Sequence, residues 1–241
     1  MLPILLSGAT FFSTLTGGIT ALRNQKILHR IMGYTAGVLL GVVAFDLLPE
    51  IANEVNSTHT AFVRPMVALV LAFLLFHILE KTILLHYAQE KEYGKHVHPK
   101  VGIASALALS GHSFLDGVGI GLGFQAGNAV GITVAIAVIA HDFTDGMNTV
   151  ILMLHNKNEA SRAKKLLFLD AIAPVLGAAS TLLFSVPDRW LVLYLGFFAG
   201  FLLYIGASDI LPQAHSKNSS RTTIGLTVLG TVFMFVVTRF V

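Results

Sequence analysis

The 241-residue sequence contains no cysteine and few charged residues. Without thiols the chain forms no disulfide and binds no metal through thiolate, which excludes a disulfide-stabilised secreted scaffold. Charged residues make up 12% of the chain, against about 25% in an ordinary soluble domain. Hydrophobic residues make up 54%, and the mean hydropathy is +0.74. This composition excludes an unstructured tail or a coiled coil and predicts a polytopic membrane protein.

Long apolar segments occupy almost the whole chain. A helix needs about 20 apolar residues to cross a bilayer, whereas a barrel strand alternates over about 10. The segment lengths therefore predict an all-α polytopic membrane protein with eight transmembrane helices in one domain, 1–241. The predicted helices are 1–20, 31–52, 62–85, 100–126, 128–155, 164–185, 190–212 and 221–241. A flexible cytoplasmic loop is predicted at 86–99; its pair His96 and His98 is interpreted as part of a solvated loop, with a weak metal-collecting site as the alternative.

The basic residues predict the orientation of these helices. Of the 16 Lys and Arg residues, 13 border the loops after spans 1, 3, 5 and 7. Only Arg64, Arg189 and Arg239 lie on the other side. Because cytoplasmic loops are enriched in Lys and Arg, both termini are predicted to lie outside. The net charge of +3 therefore reflects membrane orientation, and no nucleic-acid partner is expected.

An internal repeat relates spans 2 and 7. Residues 33–50 (GYTAGVLLGVVAFDLLPE) and 196–213 (GFFAGFLLYIGASDILPQ) agree at nine of 18 positions, including Asp46 with Asp209 and Pro49 with Pro212. The predicted orientation makes these two spans run in opposite directions. The repeat is therefore inverted, which is typical of transporters with a binding site near the membrane midplane.

Two matching motifs place histidine and aspartate in the middle of spans 4 and 5. His112 and Asp116 share an H-x-x-x-D-G pattern with His141 and Asp145. This spacing places each pair on one helix face, about one turn apart. Ionisable groups at this depth are costly and are kept where they face a cavity or a partner.

The acids within the spans have no Lys or Arg at comparable depth to neutralise them. They are Asp46, Asp116, Asp142, Asp145, Asp170 and Asp209. Carboxylates combined with imidazoles suit divalent transition metals such as zinc, iron(II), manganese and cobalt. The absence of thiolates argues against copper(I). The pattern therefore predicts a mid-membrane site for a mobile divalent cation.

These motifs resemble those of the ZIP (Zrt/Irt-like) metal transporters. The resemblance lies in the two H-x-x-x-[DE]-G motifs, the D-x-L-P ends of spans 2 and 7, and the eight helices with outside termini. It implies a 3+2+3 helix arrangement, a mid-membrane metal site that is sometimes binuclear, and movement of divalent metal toward the cytoplasm. The metal-site residues it implies are His112, Ser113, Asp116, His141, Asp142 and Asp145.

The sequence departs from the more common family pattern in two ways. Aspartate stands where many members have glutamate in both motifs, at Asp116 and Asp145. Members with a second metal often have glutamate directly before a proline of helix six, whereas this chain has Ala173 before Pro174 and Asp170 one turn earlier.

We therefore predict a transporter, not an enzyme, that moves divalent metal toward the cytoplasm, with zinc as the first choice and iron, manganese, cobalt or cadmium as further substrates. Metal is predicted to arrive near Asp46 and Glu50 and to leave past Asp209, with Asp170 as a further pathway residue. The alternatives are an intramembrane zinc-dependent hydrolase that uses the same cluster, and a cation channel. The protein is expected in a cell membrane, plasma or bacterial inner, surrounded by lipid, with a homodimer as the candidate assembly.

Overall fold

The computed structural model describes residues 2–23, 28–92, 99–215 and 220–240. Within these ranges the chain is helical and contains no β-strand. The α-helices are α1 (Leu2–Arg23), α2 (Leu28–Val42), α3 (Leu48–Thr58), α4 (Val63–Glu92), α5 (Pro99–Ala126), α6 (Asn128–His155), α7 (Ala160–Ser180), α8 (Asp188–Leu203), α9 (Leu211–His215) and α10 (Arg221–Val237). Two π-helical segments, Val43–Leu47 and Tyr204–Ile210, join α2 to α3 and α8 to α9 without a break.

Within the described residues, six continuous helical stretches are long and apolar enough to cross a membrane, and two shorter apolar segments accompany them. The six are Leu2–Arg23, Arg30–Thr58, Gly102–Ala126, Asn128–Leu154, Ala160–Leu183 and Asp188–His215. The shorter two are Val63–Leu79, which is the first part of α4, and Arg221–Val237, which is α10. Large apolar side chains such as Leu71 of α4 and Val228 of α10 are exposed, as lipid-facing residues are. The lengths and apolar character of these helices confirm the prediction of an all-helical, polytopic membrane protein.

The segment predicted as a flexible loop at 86–99 is partly helical. Helix α4 continues to Glu92, and α5 begins at Pro99. The loop prediction was therefore wrong for residues 86–92, whose sequence HYAQEKE contains good helix formers and neither glycine nor proline. The rest of the predicted loop up to residue 98, which includes His96 and His98, lies outside the described residues.

The repeat in the sequence corresponds to a repeat of helix contacts. Gly37 of α2 lies against the backbone carbonyl of Thr227 in α10, and Gly200, 163 residues later, lies against that of Leu69 in α4. A side chain at either glycine would overlap that carbonyl, so each glycine lets two helix backbones approach closely. The pair α2–α10 therefore packs as the pair α8–α4 does.

A second pair of equivalent contacts surrounds the centre of the bundle. Gly17 of α1 lies against the carbonyl of Phe143 in α6, and Gly177 of α7 lies against that of Phe114 in α5. The glycines are 160 residues apart, and the two phenylalanines occupy the same position of the two H-x-x-x-D-G motifs. Helices α1 and α7 thus each pack closely on one motif helix.

The two π-helical segments occur at equivalent places in the two halves. Val43–Leu47 contains Asp46, and Tyr204–Ile210 contains Asp209. Each segment is followed within two residues by a proline, Pro49 or Pro212. Proline has no N–H to donate, so one hydrogen bond of a regular α-helix is missing at each of these places, and the wide turn lies directly before it. The wide turns alter the helix at the two acids that the repeat had singled out.

Candidate metal centre

The two motif helices, α5 and α6, pack against each other and bring their His–Asp pairs together. His112 and Asp116 lie on α5, and His141 and Asp145 lie on α6. One nitrogen or oxygen atom from each of the four lies within 4.8 Å of all the others. Among the described residues, this is the group whose composition and spacing would hold a metal ion.

The glycine after each motif aspartate lets a further helix reach the site. Gly117, next to Asp116, lies against the backbone of Pro174 in α7. Gly146, next to Asp145, lies against the backbone of Thr14 in α1. Any larger residue at these positions would force the helices apart. The motif glycines therefore allow α7 and α1 to pack closely against the helices that carry the four polar side chains.

Four distances within the cluster are close to those between the ligand atoms of one metal ion. Asp116 Oδ2 lies 3.3 Å from His112 Nε2 and 3.3 Å from His141 Nε2, and Asp145 Oδ2 lies 3.7 Å from each of the same two nitrogens. A good N–H···O hydrogen bond has its heavy atoms about 2.9–3.0 Å apart. Zinc bonds of about 2.0–2.2 Å in a tetrahedron separate neighbouring ligand atoms by about 3.3–3.6 Å. The four side chains are thus spaced to share a cation.

The ring of His141 is oriented by its own helix. Its Nδ1 lies 3.0 Å from the carbonyl oxygen of Ala137 and donates a hydrogen bond to it. That hydrogen bond places the proton of the neutral ring on Nδ1 and leaves the lone pair of Nε2 directed at the cluster. Metal-binding histidines commonly use this arrangement, because it fixes the tautomer and the ring orientation.

The electrostatics of the cluster also favour a cation. Asp116, Asp142 and Asp145 are buried, and His112 Nε2, Asp116 Oδ1 and Asp142 Oδ1 are buried atoms without a hydrogen bond. The buried polar residues of the described ranges include no Lys or Arg. Buried carboxylates with no fixed positive charge are costly, and a bound cation removes that cost.

Asp142 lies beside the cluster but outside the four-residue group. Its Oδ1 is 3.8 Å from His141 Nε2, and its Oδ2 accepts a long hydrogen bond of 3.4 Å from Thr14 Oγ1. The side chain is fully buried. Asp142 therefore adds a carboxylate next to the site and contacts α1 through Thr14.

Ser113 and Asp170, both predicted from the sequence, contact each other. Ser113 Oγ donates a hydrogen bond of 2.7 Å to Asp170 Oδ1, and Thr149 Oγ1 donates one of 2.7 Å to Oδ2. All three side chains are buried. Sequence reasoning missed Thr149, although it stands one helical turn after Asp145 on α6. The three residues join α5, α6 and α7 next to the cluster.

Substituting Thr149 by valine should destabilise the protein, because one oxygen of the buried Asp170 carboxylate would lose its donor. A hydrogen bond to a charged group contributes about 1.5–3 kcal/mol. We expect a thermal unfolding temperature in detergent lower by several degrees for Thr149→Val. The matched control is Thr16→Val on α1, where the hydroxyl is exposed and bonds only within its own helix. Equal unfolding temperatures for the two variants would contradict this role of Thr149.

Asp46 and Glu50 do not join the four-residue metal cluster. Asp46 is partly buried in the first π-helical segment, and its Oδ2 is a buried atom without a hydrogen bond. Glu50 follows one turn later on α3. Asp209 lies in the second π-helical segment. Asp46 and Glu50 thus lie outside the four-residue group that the motifs predicted.

Comparison with known proteins identifies the family of this chain. A search of curated proteins found no match. A sequence model described as ZIP zinc transporter matches residues 98–238, more than half of the 241-residue chain and the part that contains the whole metal cluster. The chain therefore belongs to the ZIP zinc transporter family.

Proposed function

We propose that this protein carries divalent transition-metal cations, zinc foremost, toward the cytoplasm by binding them at His112, Asp116, His141 and Asp145. Family membership makes the chain a metal transporter in a membrane and not an enzyme, which removes the hydrolase alternative. The observation that carries the assignment of the site is the convergence of four ligand atoms within 4.8 Å. Two imidazoles and two carboxylates suit zinc, iron(II), manganese, cobalt and cadmium better than a hard cation such as Mg²⁺, which prefers oxygen alone.

We further propose that the chain crosses the membrane eight times in a 3+2+3 arrangement, with both termini outside. The six long and two shorter apolar helices supply eight candidate crossings. The 13-to-3 distribution of basic residues supports the orientation. The equivalent glycine contacts of α1 with α6 and of α7 with α5 support an inverted repeat around the two central helices. A cell membrane and a homodimer remain our proposals for location and assembly.

The pathway we propose follows the acids of the two π-helical segments. Asp46 and Glu50 would receive the hydrated cation outside, and Asp209 would receive it after release toward the cytoplasm. The buried, unbonded Oδ2 of Asp46 supports the first step, because such an oxygen gains most from a cation. The equivalent position of Asp209 in the second π-helical segment supports the last step. Asp170 would act beside this pathway through the polar contacts it makes with α5 and α6.

Metal flux into proteoliposomes tests the proposal. Purified protein would be reconstituted and given Zn²⁺, Fe²⁺, Mn²⁺, Co²⁺ or Cd²⁺, with protein-free vesicles as the control. We expect saturable flux, fastest at low concentration for Zn²⁺, since a carrier has a finite number of binding sites. Flux that rises linearly without saturation would favour a channel instead. No flux above the control for any of the five metals would overturn the proposal.

A further inference from the structure

The two histidines of the cluster are held in different ways. His141 is fully buried, and its ring donates a hydrogen bond to the carbonyl of Ala137. The side chain of His112 is 17% exposed, and no carbonyl or hydroxyl of the described residues accepts a hydrogen bond from its ring. A metal-binding histidine without such an acceptor needs another contact to keep its orientation.

That contact comes from an aromatic side chain of α8. The ring of Phe201 packs against the His112 ring, with centroids 4.8 Å apart and planes at 49°. Phe201 is itself 1% exposed and packs against Phe76 of α4 at 4.4 Å and against Phe198 at 5.8 Å. These neighbours leave the Phe201 ring little freedom, so its face is a fixed surface for the imidazole.

The rest of the aromatic group is also immobilised by close packing. Phe198 stacks on Tyr194, with centroids 5.9 Å apart and planes at 14°. Its ring lies over Gly119 of α5, where a side chain on the glycine would overlap it. The aromatic wall formed by Phe76, Tyr194, Phe198 and Phe201 therefore packs against α5. Within the described residues, Phe201 is the member of this wall whose ring contacts His112.

We propose that Phe201 is the positioning residue of His112, in place of the hydrogen bond that orients His141. This inference rests on the proposed ligand set. The apolar ring blocks rotation of the imidazole toward α8 and excludes water from that side of it. Because packing is less directional than a hydrogen bond, His112 is the ligand that turns more easily toward or away from the cation. Metal affinity should therefore depend on the ring of Phe201 specifically, although Phe201 offers no atom to the metal.

A substitution at Phe201 should weaken metal binding in a way that a general packing defect does not. Losing the partner that orients a metal ligand typically costs about 10- to 100-fold in affinity. We expect Phe201→Leu to raise the dissociation constant for Co²⁺ about tenfold and to raise the KM of transport while the maximal rate changes less. The matched control is Phe197→Leu on the same helix, whose ring packs on Phe76 as that of Phe201 does, but whose described ring contacts include neither His112 nor Phe201.

The experiment is a Co²⁺ titration of the purified full-length protein, followed by visible absorption, which reports the number and type of ligands. The variants are Phe201→Leu, Phe197→Leu, His112→Ala, His141→Ala and the double variant His112→Ala/Phe201→Leu. We expect the Phe201→Leu spectrum to move toward that of His112→Ala, and Phe201→Leu to add no further loss once His112 is absent.

Two sets of results would overturn the inference, and they distinguish its failure from that of the proposed ligand set. If His112→Ala and His141→Ala weaken Co²⁺ binding but Phe201→Leu does not, or if Phe197→Leu weakens it equally, the positioning role is wrong and the ligand set stands. If neither histidine variant changes the affinity or the spectrum, the ligand set itself is wrong, and the positioning role falls with it.

Discussion

Replacing Asp116 by asparagine should reduce metal flux to the level of protein-free vesicles. Asp116 Oδ2 is the atom that lies 3.3 Å from both histidine Nε2 atoms, so this carboxylate joins the two halves of the cluster. Asparagine preserves the shape of the side chain but removes its charge. Removing one charged partner from a buried ionic site costs about 3–5 kcal/mol, and a loss of about 3 kcal/mol is roughly 100-fold in affinity.

The measurement is initial Zn²⁺ flux in proteoliposomes at a metal concentration below the KM of the unsubstituted protein. The control is Asp188→Asn, because Asp188 is an exposed aspartate at the start of α8, away from the cluster. This control should transport normally. Saturable flux by Asp116→Asn with an unchanged KM would show that the cluster is not the transport site.

Gly117→Ala and Gly146→Ala should each lower both the stability of the protein and its transport. A Cβ at either position would overlap the backbone of the helix packed on it, at Pro174 or Thr14. Because a backbone cannot move aside as a flexible side chain does, α7 or α1 must shift. Overpacking typically costs about 1–3 kcal/mol, and here the displaced residue is the immediate neighbour of a proposed ligand. We expect unfolding temperatures about 5 °C lower or more, and flux about tenfold lower.

A third glycine of the motif helix provides the control for this pair. Gly111 is also on α5, next to His112, but a Cβ there would meet no atom within 4 Å. Gly111→Ala should therefore retain its stability and flux. If Gly117→Ala and Gly146→Ala also retained both, the close approach of α7 and α1 to the site would not be required for function.

The parts of the site that follow from helical spacing could be predicted from the sequence. An H-x-x-x-D pattern places two side chains on one face whatever the surrounding fold. The meeting of the two pairs in adjacent helices then depends only on α5 and α6 packing together. Partners contributed by other helices could not be predicted in this way. The contacts of Asp170 with Ser113 and Thr149 depend on the register of α7 against α5 and α6, and the contact of Phe201 with His112 depends on that of α8.

The apolar helices could be predicted from the sequence because a bilayer restricts which structures can cross it, and the other segments were predicted less well. Apolar segments of about 20 residues predict helices because unpaired backbone groups are too costly in lipid. The rule does not apply to polar sequence, and the polar residues 86–92, which are helical at the end of α4, were predicted as a loop. The π-helical segments were not predicted, although each ends two residues before a proline, Pro49 or Pro212. Pro174 stands inside α7 without such a segment, so a proline alone does not predict one.

The two halves of the chain differ at polar positions beside the proposed site, and these differences affect the relative free energies of its conformers. In a transporter built from two identical inverted repeats, the conformer open to one face and the conformer open to the other would have equal free energies. In this chain Asp142 stands in α6 where α5 has Ser113, and Asp170 stands in α7 where α1 has Thr10. Both exchanges place a carboxylate in one repeat and a hydroxyl in the other. We expect exchanges such as these, beside the proposed cation site, to make the free energies of the two conformers unequal.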